Sequence, residues 1–237
     1  MPACPRVTLD LDAVAESTRR LAVNLLGRGI TLVGVTKCVD GEPRVGRAML
    51  EAGCAGLADS RPPALVRLAA QALAPLTLIR APQMDELEMV AQIADRVMMS
   101  DPGAARVLGE HAPGAPIEIL LTVDLGDRRE GVLPDAAAAV AAELSGLHGV
   151  VVAGIAVNFA CLSGQLPSQA LFEEAEDVLA TVAPYCADPL LSLGGTCAVQ
   201  HLDGYRPRFA TEVRSGGGPI YGYDFVSGAP ILSLIHI

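Results

Sequence analysis

The chain has 237 residues, of which 51% are apolar, so it can bury a large core as a single domain. Its formal net charge is −10 and it contains no basic cluster, which argues against nucleic acids and anionic membranes as partners. Its longest apolar run is too short to span a bilayer, its start lacks the apolar segment of a secretory signal, and its six cysteines show no CxxC spacing. We therefore expect a cytoplasmic protein without a metal site or a disulfide framework.

Short apolar runs alternate with helical patterns along the chain. The runs predict eight strands, at 31–37, 56–60, 76–80, 96–101, 117–124, 150–159, 190–195 and 212–216, with helical patterns between them, as at 42–52, 64–73, 84–94, 135–144 and 169–182. Continuously apolar strands are typical of a parallel sheet that is covered on both faces. Eight of them indicate a (β/α)8 barrel of the TIM type. A doubly wound open sheet is the alternative, but no GxGxxG motif follows the first strand.

The first predicted strand ends at Lys37, the only lysine of the chain. The sequence has 17 lysines and arginines, and the other sixteen are arginine. Arginine stays charged at any ordinary pH, whereas a lysine amine can form a Schiff base or carry a proton. A lysine directly after a buried strand does little for solubility, so its position favours a chemical role. An incidental surface residue is the alternative.

Two later strand ends are rich in glycine. The segments 193–197 and 214–219 follow the seventh and eighth predicted strands. In barrels of this type the C-terminal strand ends meet at one mouth, and the loops after strands 7 and 8 frequently bind phosphate through backbone N–H groups. Thr196 and Ser215 would add hydroxyl donors, although glycines also serve simply to form tight turns. A reactive lysine opposite a phosphate-binding loop pair suggests pyridoxal 5′-phosphate as the cofactor.

Six short motifs occur in an order that resembles a known family. They are Val-Thr-Lys at 35–37, Ala-Asp-Ser-Arg at 58–61, Val-Asp-Leu-Gly-Asp-Arg-Arg-Glu-Gly at 123–131, Gly-Ile-Ala-Val-Asn-Phe-Ala-Cys at 154–161, Ser-Leu-Gly-Gly-Thr at 192–196 and Glu-Val-Arg-Ser-Gly at 212–216. Through these motifs, residues 6–228 resemble the alanine racemase N-terminal-domain superfamily, the fold-type III pyridoxal-phosphate enzymes. The alanine/ornithine racemase-like branch is the most similar.

The resemblance implies roles for two residues. Lys37 would hold the cofactor as an internal aldimine and then act as the base on one face of the substrate α-carbon. Arg214 would donate a hydrogen bond to the pyridine nitrogen, and since a guanidinium does not readily release its proton, the ring would be a weaker electron sink. The residues alone leave an alternative for Arg214, an ion pair with Glu212, because residues i and i+2 share one face of a strand.

Further positions carry over with departures from the family pattern. Asn158 stands where alanine racemases have a histidine that packs on the ring, and Arg129 falls where the family has an arginine near substrate and cofactor. Thr196 and Cys197 replace an Asn-Ser pair before the phosphate, so the phosphate contacts would rest mainly on glycine backbone. With Lys37, the implied cofactor-binding residues are Asn158, Gly195, Thr196, Arg214, Gly216 and Gly217.

The resemblance also bears on the extent of the chain. Larger members of the family carry a C-terminal β-domain, which in alanine racemases supplies a tyrosine across a dimer as the second base. We expect that this domain is absent here through truncation and that the full-length protein is a homodimer. Residues 1–231 would form the pyridoxal-phosphate-binding barrel, and residues 232–237, which resemble a translated sequencing adapter, would be a non-native tail.

The activity that the resemblance implies is amino-acid racemisation, in which the α-proton of an amino acid bound to the cofactor is removed and replaced. The residues do not identify the opposing acid/base. Tyr205, Tyr221, Tyr223 and Cys161 are candidates within the chain, but a residue of the absent C-terminal domain is favoured over them. Two alternatives remain. One is a non-catalytic barrel that stores or delivers pyridoxal phosphate, and the other is a metal-assisted D-amino-acid aldolase whose metal ligands would lie in a later domain.

Overall fold

The structure, a computed structural model, describes residues 8–224 and 226–231. Residues 1–7, 225 and 232–237 lie outside it, and so does the predicted non-native tail. Within the described ranges, no helix combines the length and the apolar character that crossing a bilayer requires.

Eight parallel strands form a closed barrel, in which each strand pairs with the next along the chain and the last pairs with the first. This topology confirms the predicted (β/α)8 barrel. The strands are β1 (Ile30–Val35), β2 (Gly56–Asp59), β3 (Leu76–Leu78), β4 (Arg96–Met99), β5 (Ile117–Val123), β6 (Val150–Asn158), β7 (Cys186–Gly194) and β8 (Ala210–Ser215).

The helices alternate with the strands and cover the outside of the barrel. They are α1 (Leu11–Leu26), α2 (Pro43–Glu51), α3 (Pro62–Ala69), α4 (Leu87–Ile93), α5 (Pro102–Glu110), α6 (Ala137–Ser145), α7 (Gln169–Val182) and α8 (Gly217–Tyr221). Side-chain caps fix several of their starts, because the first N–H groups of a helix have no partner within it. The Asp10 side chain accepts hydrogen bonds at the start of α1, Asp101 at α5 and Ser168 at α7.

The helix before the first strand completes the outer ring of the barrel. α8, which follows the last strand, has only 5 residues, whereas α1 has 16. α1 packs against β1, α2 and α8, and its buried face consists of Val14, Thr18, Leu21 and Leu25. α1 therefore covers β1 on the outside of the barrel, between α2 and α8.

The apolar core has two parts. The larger part fills the space between the barrel and its helices. A smaller part lies inside the barrel and is formed by Val33, Val35, Ala58, Ile79, Met98, Leu120 and Ala156. Polar side chains complete the interior, because Ser192, Glu212 and Arg214 are also buried.

β7 is the strand whose start differs most from the prediction. The sequence predicts that it begins at residue 190, but it begins at Cys186. Asp188 and Pro189 interrupt the apolar pattern, and the pairing of β6 with β7 shifts register between Val152 and Gly154. Such an irregularity adds strand residues that do not follow the apolar pattern. A prediction from the pattern alone therefore makes the strand too short.

The aromatic cluster under α7 gives a test of the outer core. Phe172 is fully buried, with its ring centroid 5.6 Å from that of Phe159 and 5.0 Å from that of Tyr205. We expect Phe172→Ala to lower the free energy of unfolding by about 3–5 kcal/mol, because it leaves a cavity and removes both ring contacts. Urea unfolding measures this. Tyr185→Ala, at a residue 37% exposed, is the control and should change stability by less than about 1 kcal/mol; equal losses in both variants would contradict the packing.

Candidate functional site

A cavity of about 260 Å³ opens at the mouth formed by the C-terminal ends of the strands. Its lining comes from the ends of β1, β6, β7 and β8, from the segments that follow β1, β3, β5, β6, β7 and β8, and from the start of α8. The cavity brings together every residue that the sequence predicted for the site, namely Lys37, Arg129, Asn158, Gly195, Thr196, Arg214, Gly216 and Gly217.

Lys37 lies two residues beyond β1, at the start of a short 3-10 helix, Lys37–Val39. It is exposed, and its main chain is held by the end of β2. The Arg61 side chain donates to the Lys37 carbonyl oxygen at 2.7 Å. The fully buried Asp59 carboxylate accepts from the Thr36 hydroxyl at 2.9 Å and from the Arg61 N–H at 3.0 Å. Two adjacent strand ends thus fix the backbone from which the amine projects.

Arg214, on β8, is a buried guanidinium at the inner wall of the cavity, with only 3% of its surface exposed. One terminal nitrogen donates to the Ser192 hydroxyl, and the other donates to the Asn158 Oδ1 at 3.0 Å and to the Val157 carbonyl at 3.1 Å. Burial lowers its pKa to about 10, opposed by the nearby Glu212 carboxylate, so the group stays charged at neutral pH. Its Nε has no hydrogen-bond partner within residues 8–224 and 226–231.

The predicted alternative for Arg214, a direct ion pair with Glu212, is not what the structure contains. The Ser192 hydroxyl stands between them, accepting from Arg214 and donating to Glu212 Oε1. Glu212 pairs instead with Arg96, at 3.1 Å. The guanidinium of Arg214 therefore has neutral direct partners, and its Nε–H remains available to a ligand in the cavity.

Gly194, at the end of β7, provides the space that this arrangement needs. A Cβ atom at this position would overlap the Arg214 Nη2 and the Asn158 Oδ1, and it would lie 2.9 Å from the Val157 carbonyl oxygen. No side chain can occupy that space while the hydrogen bond between Arg214 and Asn158 persists. Glycine is therefore required at position 194 because Arg214 and Asn158 come so close to its Cα.

The two glycine loops lie side by side at the cavity. Gly195 precedes a 3-10 helix, Thr196–His201, and Gly216 precedes α8. The Thr196 hydroxyl lies 3.0 Å from the Ser215 hydroxyl and accepts from the Gly217 N–H at 3.1 Å. The Gly217 N–H is thus already paired with Thr196, and an anion at the two loops would be bound by the Thr196 and Ser215 hydroxyls together with other backbone N–H groups of the glycine segments.

Arg129 and Asn158 occupy the side of the cavity formed after β5 and β6. Arg129 lies in the loop after β5, where its Nη2 is 2.9 Å from the Glu130 Oε1. Its neighbour Arg128 is exposed and does not line the cavity. Across the described residues, no three His, Cys, Asp or Glu side chains are grouped so that they could hold a metal ion.

Comparison with known proteins places this geometry in a family. A family model described as alanine racemase, N-terminal domain, matches residues 9–224. The chain belongs to the alanine racemase N-terminal domain family. The resemblance inferred from the six motifs is therefore confirmed.

One similar sequence and two similar structures give the extent of this likeness. The chain is 30% identical to lysine racemase from Thermotoga maritima over 96% of its own length, and it spans 65% of that enzyme. D-threonine aldolase from Filomicrobium marinum superposes with a TM-score of 0.77 at 21% identity, over 97% of this chain and 66% of the aldolase. A protein of unknown function from Bifidobacterium adolescentis superposes with a TM-score of 0.69 at 18% identity, over 91% and 98% of the two chains. The two structural likenesses establish the fold alone.

Four residues that position the site were not in the predicted set. Asp59 and Arg61 hold the main chain at Lys37, whereas Ser192 and Gly194 shape the surroundings of Arg214. All four lie within the motifs at 58–61 and 192–196, so the signal was present. Their roles depend on contacts between residues of neighbouring strands. Assigning strands along the sequence does not show which residues are in contact.

The cysteines allow a chemical test of access to the cavity. Cys161 is exposed and lines the cavity, whereas burial raises the pKa of Cys197 to about 12 and that of Cys186 to about 11. A raised pKa leaves less of the reactive thiolate, about one part in a thousand or less at pH 8 for these two thiols. We expect iodoacetamide to label Cys161 faster than either of them, as measured by peptide mass spectrometry.

Ligand protection completes this labelling test. Pyridoxal phosphate should slow the labelling of Cys161, and Cys186, which lies outside the cavity, is the control whose rate should not change. Equal protection of both cysteines, or faster labelling of Cys197 than of Cys161, would contradict the arrangement.

Proposed function

We propose that this chain binds pyridoxal 5′-phosphate in the mouth cavity and serves in amino-acid racemisation. The observation that carries the proposal is that the only lysine of the chain and a buried arginine line one cavity together with the two glycine loops. Membership of the family supports the cofactor, and the likeness to a lysine racemase supports the reaction. The substrate would be a small amino acid.

The cavity fits the cofactor in three respects. It contains an amine at Lys37, a buried donor at Arg214 with a free Nε–H, and a pair of hydroxyls beside the Gly217 N–H. These groups match the aldehyde, the ring nitrogen and the phosphate, respectively. What pyridoxal phosphate supplies when bound is electron withdrawal from the α-carbon of an amino acid, which acidifies the α-proton.

Lys37 has two tasks in this proposal. Its amine would bind the cofactor aldehyde, and it would also be the base that takes the α-proton from one face of the substrate and returns it. The hydrogen bonds from Arg61 and to Asp59 hold the main chain at Lys37 in place. Only the side chain of Lys37 would therefore have to move during the reaction.

Arg214 would moderate the chemistry by donating its Nε–H to the ring nitrogen. Because its pKa of about 10 keeps it protonated at neutral pH, it does not transfer a full proton to the ring. Electron withdrawal is then weaker, which limits side reactions such as transamination. Asn158 holds the guanidinium plane through its Oδ1.

The phosphate would lie against Gly195, Thr196, Gly216 and Gly217, where N–H and hydroxyl donors meet. Arg129 would be the substrate-side cation, available for an amino-acid carboxylate once it leaves Glu130. These assignments leave the Lys37 side of the cavity for the reacting carbon.

Of the four candidates for the second acid/base, Cys161 alone lines the cavity. Tyr205 is buried and donates its hydroxyl to the Glu176 Oε1 at 3.0 Å. Tyr221 and Tyr223 are exposed but do not line the cavity. If Cys161 does not act as the second acid/base in this chain, its function without turnover would be the storage or delivery of the cofactor, which is the alternative function.

Two measurements on the purified chain test the proposal and its alternative. With added pyridoxal phosphate, a visible absorption band should form, and borohydride should fix one cofactor on the peptide that contains Lys37. In a separate sample that has not been reduced, incubation with lysine, ornithine or alanine in D₂O should exchange the α-proton. Binding without exchange by a chain extended to its relatives' length would establish storage, and absence of any band at millimolar cofactor would overturn the proposal.

A further inference from the structure

A line of polar side chains runs through the barrel interior from its lower end to the cavity. We call it the interior network and define it as Glu118, Arg96, Glu212, Ser192 and Arg214. Arg96 lies 2.6 Å from the Glu118 carboxylate and 3.1 Å from the Glu212 carboxylate. Glu212 accepts from the Ser192 hydroxyl, which accepts from Arg214. Two pairs of neighbouring strands, β4 with β5 and β7 with β8, are thus linked across the barrel interior through the contact of Arg96 with Glu212.

The burial of these groups makes their pairing energetically important. Arg214 and Glu212 are only 3% and 4% exposed, and Ser192 is fully buried. A charge in such surroundings is strongly destabilising unless an opposite charge and hydrogen bonds compensate for it. The direct partners of Arg214 are all neutral, so its charge is compensated by carboxylates that do not touch it, of which Glu212, one hydroxyl away, has a larger effect than Glu130.

The direction of each hydrogen bond in the network is fixed. A guanidinium can only donate, so the oxygen of Ser192 must accept from Arg214 and its single proton must point to Glu212. A carboxylate can only accept, which suits Glu212 on both sides, from Ser192 and from Arg96. Each hydrogen bond in this part of the network therefore has one possible direction. Arg96 and Ser192 both donate to Glu212, and Arg214 donates to Ser192.

We propose that Glu212, acting through Ser192, is a positioning residue that holds the Arg214 guanidinium with its Nε–H directed at the cavity. Arg96 anchors Glu212 from the opposite side. Glu118 is 43% exposed and acts only on Arg96, at the outer end. This inference rests on the proposed function, because the ligand that receives the Nε–H is the cofactor ring.

The substitution Glu212→Gln tests the direction of the network. A glutamine side chain keeps the size of glutamate but has one acceptor and one donor end. One of its two neighbours, Ser192 or Arg96, then faces a donor. We expect the dissociation constant for pyridoxal phosphate to rise about tenfold, since a hydrogen bond to a charged group is lost, and the absorption maximum of the bound cofactor to shift.

A second variant and a control separate positioning from general destabilisation. Ser192→Ala removes the hydroxyl link while leaving both charges, and it should reproduce the weaker binding and the spectral shift. Glu88→Gln, at an exposed glutamate of α4 outside the network, is the matched control and should leave both unchanged. Binding is measured at a temperature well below the melting temperature of each variant without cofactor, so loss of folded protein is not read as loss of affinity.

The outcomes separate this inference from the proposed function. If the unmodified chain forms no visible band, the proposed function fails. If it forms one, and Glu212→Gln and Ser192→Ala are folded and bind with unchanged affinity and absorption maximum, the inference is overturned. A lowered melting temperature in these variants without a change in affinity or spectrum would likewise make the network purely structural and overturn it.

Discussion

Lys37→Ala is expected to abolish covalent attachment of pyridoxal phosphate completely. The chain has no second lysine that could replace Lys37, so no other side-chain amine can form the Schiff base. After incubation with the cofactor and reduction with borohydride, peptide mass spectrometry should find the cofactor on the Lys37 side chain of the unmodified protein and on no side chain of the variant. The visible absorption band should disappear as well.

Lys37→Arg is the matched control for charge at this position. Arginine keeps the positive charge but cannot form the covalent bond, so it should also fail to retain cofactor after reduction. Because Lys37 is exposed, both variants should unfold at the same urea concentration as the unmodified chain. A reducible adduct that persists in Lys37→Ala on any residue other than the chain's α-amine would refute the assignment.

Gly194→Ala is expected to weaken cofactor binding by at least about tenfold and to destabilise the fold by about 1–3 kcal/mol. The added methyl group would occupy the place of the Arg214 Nη2 and the Asn158 Oδ1, and main-chain atoms at Val157 also leave no room. Arg214 must then turn away, which removes its Nε–H from the ring position. A fluorescence titration with pyridoxal phosphate measures the affinity, and urea unfolding measures the stability.

Gly114→Ala is the control for this substitution. A Cβ at Gly114 would meet no atom within 4 Å, and the residue lies outside the cavity. Its binding and stability should therefore match those of the unmodified chain. If Gly194→Ala binds the cofactor as tightly as Gly114→Ala does, the prediction is wrong. The tight packing of Arg214 and Asn158 against Gly194 would then have no effect on cofactor binding.

The barrel could be predicted from sequence because its strands are covered on both faces. Continuous apolar runs then mark each strand directly, and the predicted and observed starts agree for β2 to β6. The observed start of β7 differs from the predicted one because its first residues include Asp188 and Pro189, which interrupt the apolar pattern. They lie where the pairing of β7 with β6 shifts register. Register depends on two strands at once, so a pattern read along one strand does not contain it.

The members of the site could also be predicted, but not the contacts among them. Lys37 stood out by composition, and the glycine loops by their place after the last two strands. The pairing of Arg96 with Glu212 joins residues 116 positions apart on β4 and β8. Nothing in the sequence around either residue indicates that the other is its partner. The link through Ser192 replaces the direct ion pair that the i, i+2 spacing of Glu212 and Arg214 suggests.

The closure of the barrel between β1 and β8 has a consequence for assembly. Ile30 pairs with Thr211 and Val33 with Arg214, so the earliest strand gains its second neighbour only when the last one arrives. Lys37 follows one side of this seam and Arg214 lies on the other. A ligand that contacts both would join the first and last strands of the barrel and favour the closed ring by mass action. Occupancy of the cavity then reports closure of the barrel between β1 and β8.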